Sequence, residues 1–135
     1  MRFKLLGIAA TLAVAVAVPA SAHHSHGAYT VEWLDLEGKV TEIHLMNPHS
    51  WVYIAVEGQG VWALEATYRS HLQRTGVQPG DVKAGDTVKV RCHRLRDGSR
   101  GCLLGFLWQP NGKVNDWDGQ EAAPDEPWGK YALKR

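Results

Sequence analysis

A small, mainly β barrel is what this chain predicts, and three observations predict it. Between Leu36 and Trp108, apolar side chains recur at every second position in five short segments. Turn-forming residues separate the segments: Asn47-Pro48, Gly58-Gln59-Gly60, Gln78-Pro79-Gly80-Asp81, Ala84-Gly85-Asp86 and Asp97-Gly98. The alternation breaks once, over Thr67 to Gly76, where the residues read as a helix.

The first strand opens with Leu36, Gly38 and Val40 on one face, after which Ile43 and Leu45 fall on the opposite phase. No turn residue intervenes, so the slip of one predicts a bulge rather than a new strand. Asn47-Pro48 ends it, because Pro lacks the ladder donor. In the second strand Val52, Ile54 and Val56 point one way, and Trp51, Tyr53 and Ala55 the other. The third, Val61 to Ala66, turns Trp62, Leu64 and Ala66 inward and Glu65 outward. Thr67 is a candidate helix cap and Gly76 a stop, with Tyr68, Leu72 and His71 on one helical face. The fourth strand, Thr87 to His93, carries Val88, Val90 and Cys92 inward. The fifth, Cys102 to Trp108, carries Cys102, Leu104 and Phe106 on its expected core face.

Three strands, a helix, then two strands is the order of a small five-stranded OB-like Greek-key barrel with one helix between strands 3 and 4. A barrel of this size is filled by its own side chains, so function belongs to its outer face or loops. The organisation read from the sequence is a signal peptide over 1–22, a His-rich N-terminal arm over 23–35, the barrel over 36–108 and an irregular tail over 109–135. His23 to Tyr29 has no apolar period and reads as a flexible arm. The tail is rich in Pro, Gly, Asp and Asn, with Trp117, Trp128 and Tyr131 as pegs that pin it to the barrel.

Residues 1–22 carry the marks of an export signal. Arg2 and Lys4 precede an uncharged apolar run from Leu5 to Val18; Pro19 and the small residues Ala20-Ser21-Ala22 follow. The run is shorter than the ~20 residues of a spanning helix. The expectation is a periplasmic or secreted protein beginning at His23, without stable membrane insertion. Removal of 1–22 leaves 13 basic and 14 acidic residues, a balance of −1 that offers no attraction for nucleic acid. Two cysteines in an oxidising compartment predict one disulfide, Cys92–Cys102, reachable across the Asp97-Gly98 hairpin if the turn carries three residues. Two free buried thiols are the alternative.

Histidine carries most of the chemical interest. All seven lie after Ala22, and His23, His24 and His26 cluster at the start. After cleavage at Ala22, the α-amine and imidazole of His23 form one chelate, which His24 and His26 can complete; imidazole suits copper and zinc. Cleavage after Ala20 would instead leave Ser-Ala-His, a square-planar copper or nickel motif. The plain reading is a solvated arm. His49 follows Pro48 at a loop mouth, where ligands are commonly met; the plain reading is a hydrogen bond closing the turn. Glu65 could join His49 and the arm in a mixed nitrogen and oxygen site, or pair with Arg69 or Arg91. His44, His71 and His93 are scattered and read as exposed. Trp51 and Tyr53 share an outward face that could stack a sugar ring or lie under the arm or tail.

The chain resembles an uncharacterised family of exported bacterial proteins, domain of unknown function 6152. The resemblance rests on His23-His24-Ser25, Leu36-Glu37-Gly38-Lys39-Val40, Asn47-Pro48-His49, Trp62 with Glu65, Leu72 to Gly76, Lys83-Ala84-Gly85-Asp86 and Arg96-Asp97-Gly98. It covers roughly His23 to Leu107; the tail, the cysteines and His26 depart from it. It implies a periplasmic home and a small β-barrel, and no activity.

No G-x-S-x-G, H-E-x-x-H or phosphate-binding glycine loop is present. An N-terminal copper brace for oxidative chemistry needs a second, rigidly held His, which a mobile arm does not supply. The sequence therefore predicts no enzyme. It predicts a protein binding copper or zinc through His23, His24, His26, His49 and Glu65. The alternative is an interaction module whose barrel face binds another exported protein or a glycan.

Overall fold

The computed structural model describes residues 26–133. A 3-10 turn, His26–Ala28, leads into β1 (Leu34–His44), β2 (Ser50–Val56), β3 (Gly60–Ala66), α1 (Arg69–Arg74), β4 (Thr87–Arg94), β5 (Gly101–Trp108) and β6 (Val114–Asp116). Strands are ordered β3-β2-β1-β4-β5-β6, and β3 also pairs with β5 in parallel, so the first five close into a barrel. This is the predicted architecture, with the helix in the predicted place.

Closure follows from local devices. The register of β1 against β2 shifts between Val40 and Glu42, where the phase slip predicted a bulge. Two residues earlier, Gly38 passes so close to β2 that a Cβ there would lie 2.7 Å from the carbonyl oxygen of Ala55. Glycine lets β1 pair with β4 through its first half and with β2 through its second. Inside, Leu36, Val40, Val52, Ile54, Trp62, Leu64, Val88, Val90 and Leu72 form one continuous core. Each fully buried aliphatic side chain contributes about 1.5–3 kcal/mol.

Two local expectations need correction. Cys102 and Leu104 lie in the core cluster as expected, but Leu107 takes the place expected for Phe106, which is buried outside that cluster. The register of β4 against β5 shifts between Arg91 and Cys92, so Gly105 is the extra residue and the inward phase flips after Leu104. Phe106 packs under Trp33, whose ring covers Gly105. Thr67 does not cap α1: the helix starts one residue later, with Tyr68 at the N-cap and no side-chain cap bond. Thr67 instead receives Ser50 N–H at its carbonyl and donates its own N–H to Trp117.

Cys92 and Cys102 lie at bonding distance, S–S 2.01 Å with Cα atoms 5.6 Å apart. They are not directly opposite. Arg94 faces Cys102 and Cys92 faces Leu104, while Leu95 N–H donates to Gly101, so the turn holds five residues and the bridge runs diagonally.

Within the segment read as an irregular tail, β6 adds to β5, and Trp117 enters the core fully buried. The rest is tied down through polar groups. Asp35 and Arg91 are buried and paired, Nε–Oδ1 at 2.8 Å and Nη2–Oδ2 at 2.9 Å. Two further guanidinium donors go to the carbonyls of Glu126 and Pro127, and Asp35 accepts the N–H groups of Gly129 and Tyr131. Tyr131 covers the guanidinium, and Trp128 donates to the Val90 carbonyl. Trp117, Trp128 and Tyr131 are thus pegs, and the pair provides the socket.

Candidate functional site

One end of the barrel collects the histidines. The Asn47-Pro48 bond is cis, and the turn is braced by Ser50, whose hydroxyl accepts from Met46 N–H. His49 projects beside Glu65 of β3. Its Nδ1 lies 3.2 Å from Glu65 Oε1. The other carboxylate oxygen accepts from the Tyr29 hydroxyl. Glu65 pairs with neither Arg69 nor Arg91, the partners considered from sequence. Arg91 is committed to Asp35, and the sheet register sets Glu65 against Trp51 on one side and Leu103 on the other.

Tyr29 belongs to the arm, and the arm is docked over its described part. Thr30 N–H donates to Arg94, Arg96 N–H donates to Ala28, and the Arg96 Nε donates to Gly27. These bonds lay residues 27–30 antiparallel to the end of β4. Tyr29 is 7% exposed, and burial, then the Glu65 hydrogen bond and charge, push its hydroxyl far above its ordinary pKa of 10.0. The phenol therefore stays protonated and remains the donor to Glu65. The flexible arm expected from composition is corrected for these residues: a single aromatic finds a buried seat that no periodic pattern announces.

Docking brings His26 to the same cleft as His49. The cleft, about 630 Å³, is also lined by Asn47, Tyr68, His71 and Asp118. His71 fits against Gly119, where a Cβ would lie 2.8 Å from its ring. His71 and Asp118 were not among the expected site residues. The helical face containing His71 was the only available signal, and Asp118 lies in a segment without pattern. His23 and His24 lie outside the described residues. Among the described residues, no group of three or more His, Cys, Asp or Glu side chains is arranged to hold a metal ion.

The remaining histidines lie elsewhere. His93 stacks on Trp33 at 3.8 Å. His44 is exposed beside Glu42 and edge-on to Tyr53, whose ring lies 6.4 Å from Trp51 with 24° between the planes.

The model of a family of unknown function, DUF6152, matches residues 11–104. The chain belongs to this family. The DUF6152 match takes in Tyr29, His49 and Glu65 and ends within β5, so β6, Asp118 and the tail seated on Arg91 lie beyond it. Comparison with curated proteins finds no match. Among the described residues no helix is long and apolar enough to cross a membrane.

Proposed function

We propose that this DUF6152 protein is exported to the periplasm and there binds a transition metal ion, copper or zinc, at the cleft where its arm meets the barrel. The donors are the imidazoles of His23, His24, His26 and His49, with Glu65 beside His49. The observation that carries the reading is the docking of the arm: His26 and His49 line one cleft, and Tyr29 is anchored on the carboxylate that faces His49. Imidazole nitrogens are the ligands that copper and zinc share. His26 and His49 alone are too few for a closed site, and the reading assigns the further imidazoles to His23 and His24. The activity is binding, without a catalytic step.

The test is calorimetric titration of the oxidised protein starting at His23 with Cu(II) and with Zn(II). Affinity tighter than micromolar is expected, weakened at least tenfold by His49→Ala. No affinity tighter than micromolar, or indifference to His49→Ala, overturns the reading.

A second reading draws on the two near-parallel rings of Trp51 and Tyr53, flanked by His44 and Glu42. Such a platform suits stacking of a sugar ring. Quenching of tryptophan fluorescence by an oligosaccharide, lost in Trp51→Ala with Cu(II) affinity unchanged, would favour it.

A further inference from the structure

We infer that the Asp35–Arg91 socket is a peptide-binding site filled in cis by residues 126–131, and that, freed of this strap, it takes a turn-forming segment of another chain with the pattern Pro-Trp-Gly-x-Tyr. No histidine takes part, so the assignment stands apart from the metal-binding reading.

Three observations carry it. First, the socket grips main chain. Arg91 Nη1 and Nη2 donate to the carbonyls of Glu126 and Pro127 at 2.8 and 2.9 Å. Asp35 Oδ2 accepts from the N–H groups of Gly129 and Tyr131 at 2.8 and 3.1 Å, and the Asp35 N–H donates to the Tyr131 carbonyl at 3.1 Å. None of these bonds uses a tail side chain. Selectivity comes from two rings. Trp128 donates its indole N–H to the Val90 carbonyl and takes the Lys89 ammonium on its face at 4.7 Å; Tyr131 lies 4.6 Å from the guanidinium. Main-chain bonds for affinity and side-chain seats for specificity are how peptide-recognition sites divide the work.

Second, the occupant is a turn that holds its own shape. Lys130 N–H donates back to the Pro127 carbonyl and Ala132 N–H to Gly129, and Gly129 has φ 102°, where a side chain is strained. A ligand bent in advance loses less entropy on binding.

Third, the strap is separable from the barrel. Closure runs through β1 to β5, and residues 120–123, which lead to the strap, are exposed. Both socket residues lie inside the family match, which ends at residue 104, before the occupant begins. A buried ion pair adds little stability that apolar packing would not. Facing carbonyls and amides, it supplies fixed donors and acceptors for a peptide. Tethering gives the strap an effective concentration on the order of millimolar, so a peptide in trans gains the site only when the strap is weakened.

The experiment uses the full chain and a fluorescein-labelled peptide copying residues 124–133, read by anisotropy. Wild type is compared with Trp128→Ala/Tyr131→Ala, whose strap has lost both rings, and with Trp128→Ala. The single variant keeps the Tyr131 contact with the guanidinium and decides the matter if the double variant does not fold. Trypsin cleavage at Lys130 reports release of the strap. The double variant should bind the peptide at least about tenfold more tightly than wild type, with the single variant between them. Binding should be lost when the peptide carries Ala at both ring positions or at the position of Gly129. Release of the strap without a gain in peptide affinity overturns the inference, as does equal binding of the peptide lacking both rings. A wild type that sediments as a dimer with exchanged straps makes a second copy the occupant and overturns the cis assignment.

Discussion

The buried Asp35–Arg91 pair gives the sharpest quantitative test of this fold. Asp35→Ala removes the buried counter-charge of a guanidinium that has no solvent access, leaving it the longer contact to exposed Asp125 at 3.9 Å, and it also strips the acceptor from two tail N–H groups. The hydrogen bond to Asp35, working against the burial penalty, holds the Arg91 proton more firmly than usual, so the cation cannot escape by neutralising. Breaking a buried pair from one side costs about 3–5 kcal/mol. Against a total stability of about 5–15 kcal/mol, that is a fifth or more of the margin. For a domain of this length it corresponds to a Tm lowered by roughly 12–20 °C. The assay is urea unfolding of the oxidised protein, followed by tryptophan fluorescence, with limited trypsin digestion at Lys130 reporting the tail. Removing both charges in shape should be milder: Asp35→Asn with Arg91→Met keeps an acceptor for the tail and leaves no orphaned ion. It is expected to cost at least about 2 kcal/mol less than Asp35→Ala. A loss under about 1 kcal/mol for Asp35→Ala, or a double variant as damaged as the single one, would refute the reasoning.

Other perturbations have equally definite outcomes. Replacing both Cys92 and Cys102 with Ala should cost about 2–3 kcal/mol, from the loop closed by a separation of 10 residues, read as the urea midpoint against wild type. Gly38→Ala should cost about 1–3 kcal/mol in the same assay, because the new methyl meets the Ala55 backbone oxygen rather than a side chain that can swing away. Tyr29 has a raised folded pKa, so its contribution is fully present below the ordinary value of 10.0 and is lost as pH climbs above it. Absorbance at alkaline pH should show one of the four tyrosines ionising later than the rest, and Tyr29→Phe should abolish that late step.

The legibility of these features in the sequence follows their physics. The strands and the β1 bulge could be read because one face of each strand is buried, so a slip of one residue reverses polarity at Ile43. The β5 bulge could not, because Leu103, Leu104, Phe106 and Leu107 are apolar in both phases and every one of them is buried. The five-residue turn escaped for a related reason: Asp97-Gly98 marks a turn without fixing its length. At the candidate site, Pro48 pointed to His49 as a loop-mouth residue. Tyr29 and Glu65 are 36 residues apart and meet only because the arm lies against β4, which leaves no local pattern to read. The tail was opaque because polar bonds to Asp35, Arg91 and Asp116 hold it, and hydropathy does not register such bonds.

The socket at Arg91 has a consequence for how the molecule comes into being. A chain is made from its N-terminus, so all five barrel strands exist before residues 126–131 do. Until those residues arrive, the guanidinium has its carboxylate but lacks two carbonyls, and the carboxylate lacks two amides. The strands alone therefore leave a buried charge incompletely solvated by protein, and only the later segment completes its shell. The fold reads its own length: a copy cut short before Glu126 keeps every barrel strand yet forfeits the bonds that seal them, and it exposes the flaw to whatever protease samples it.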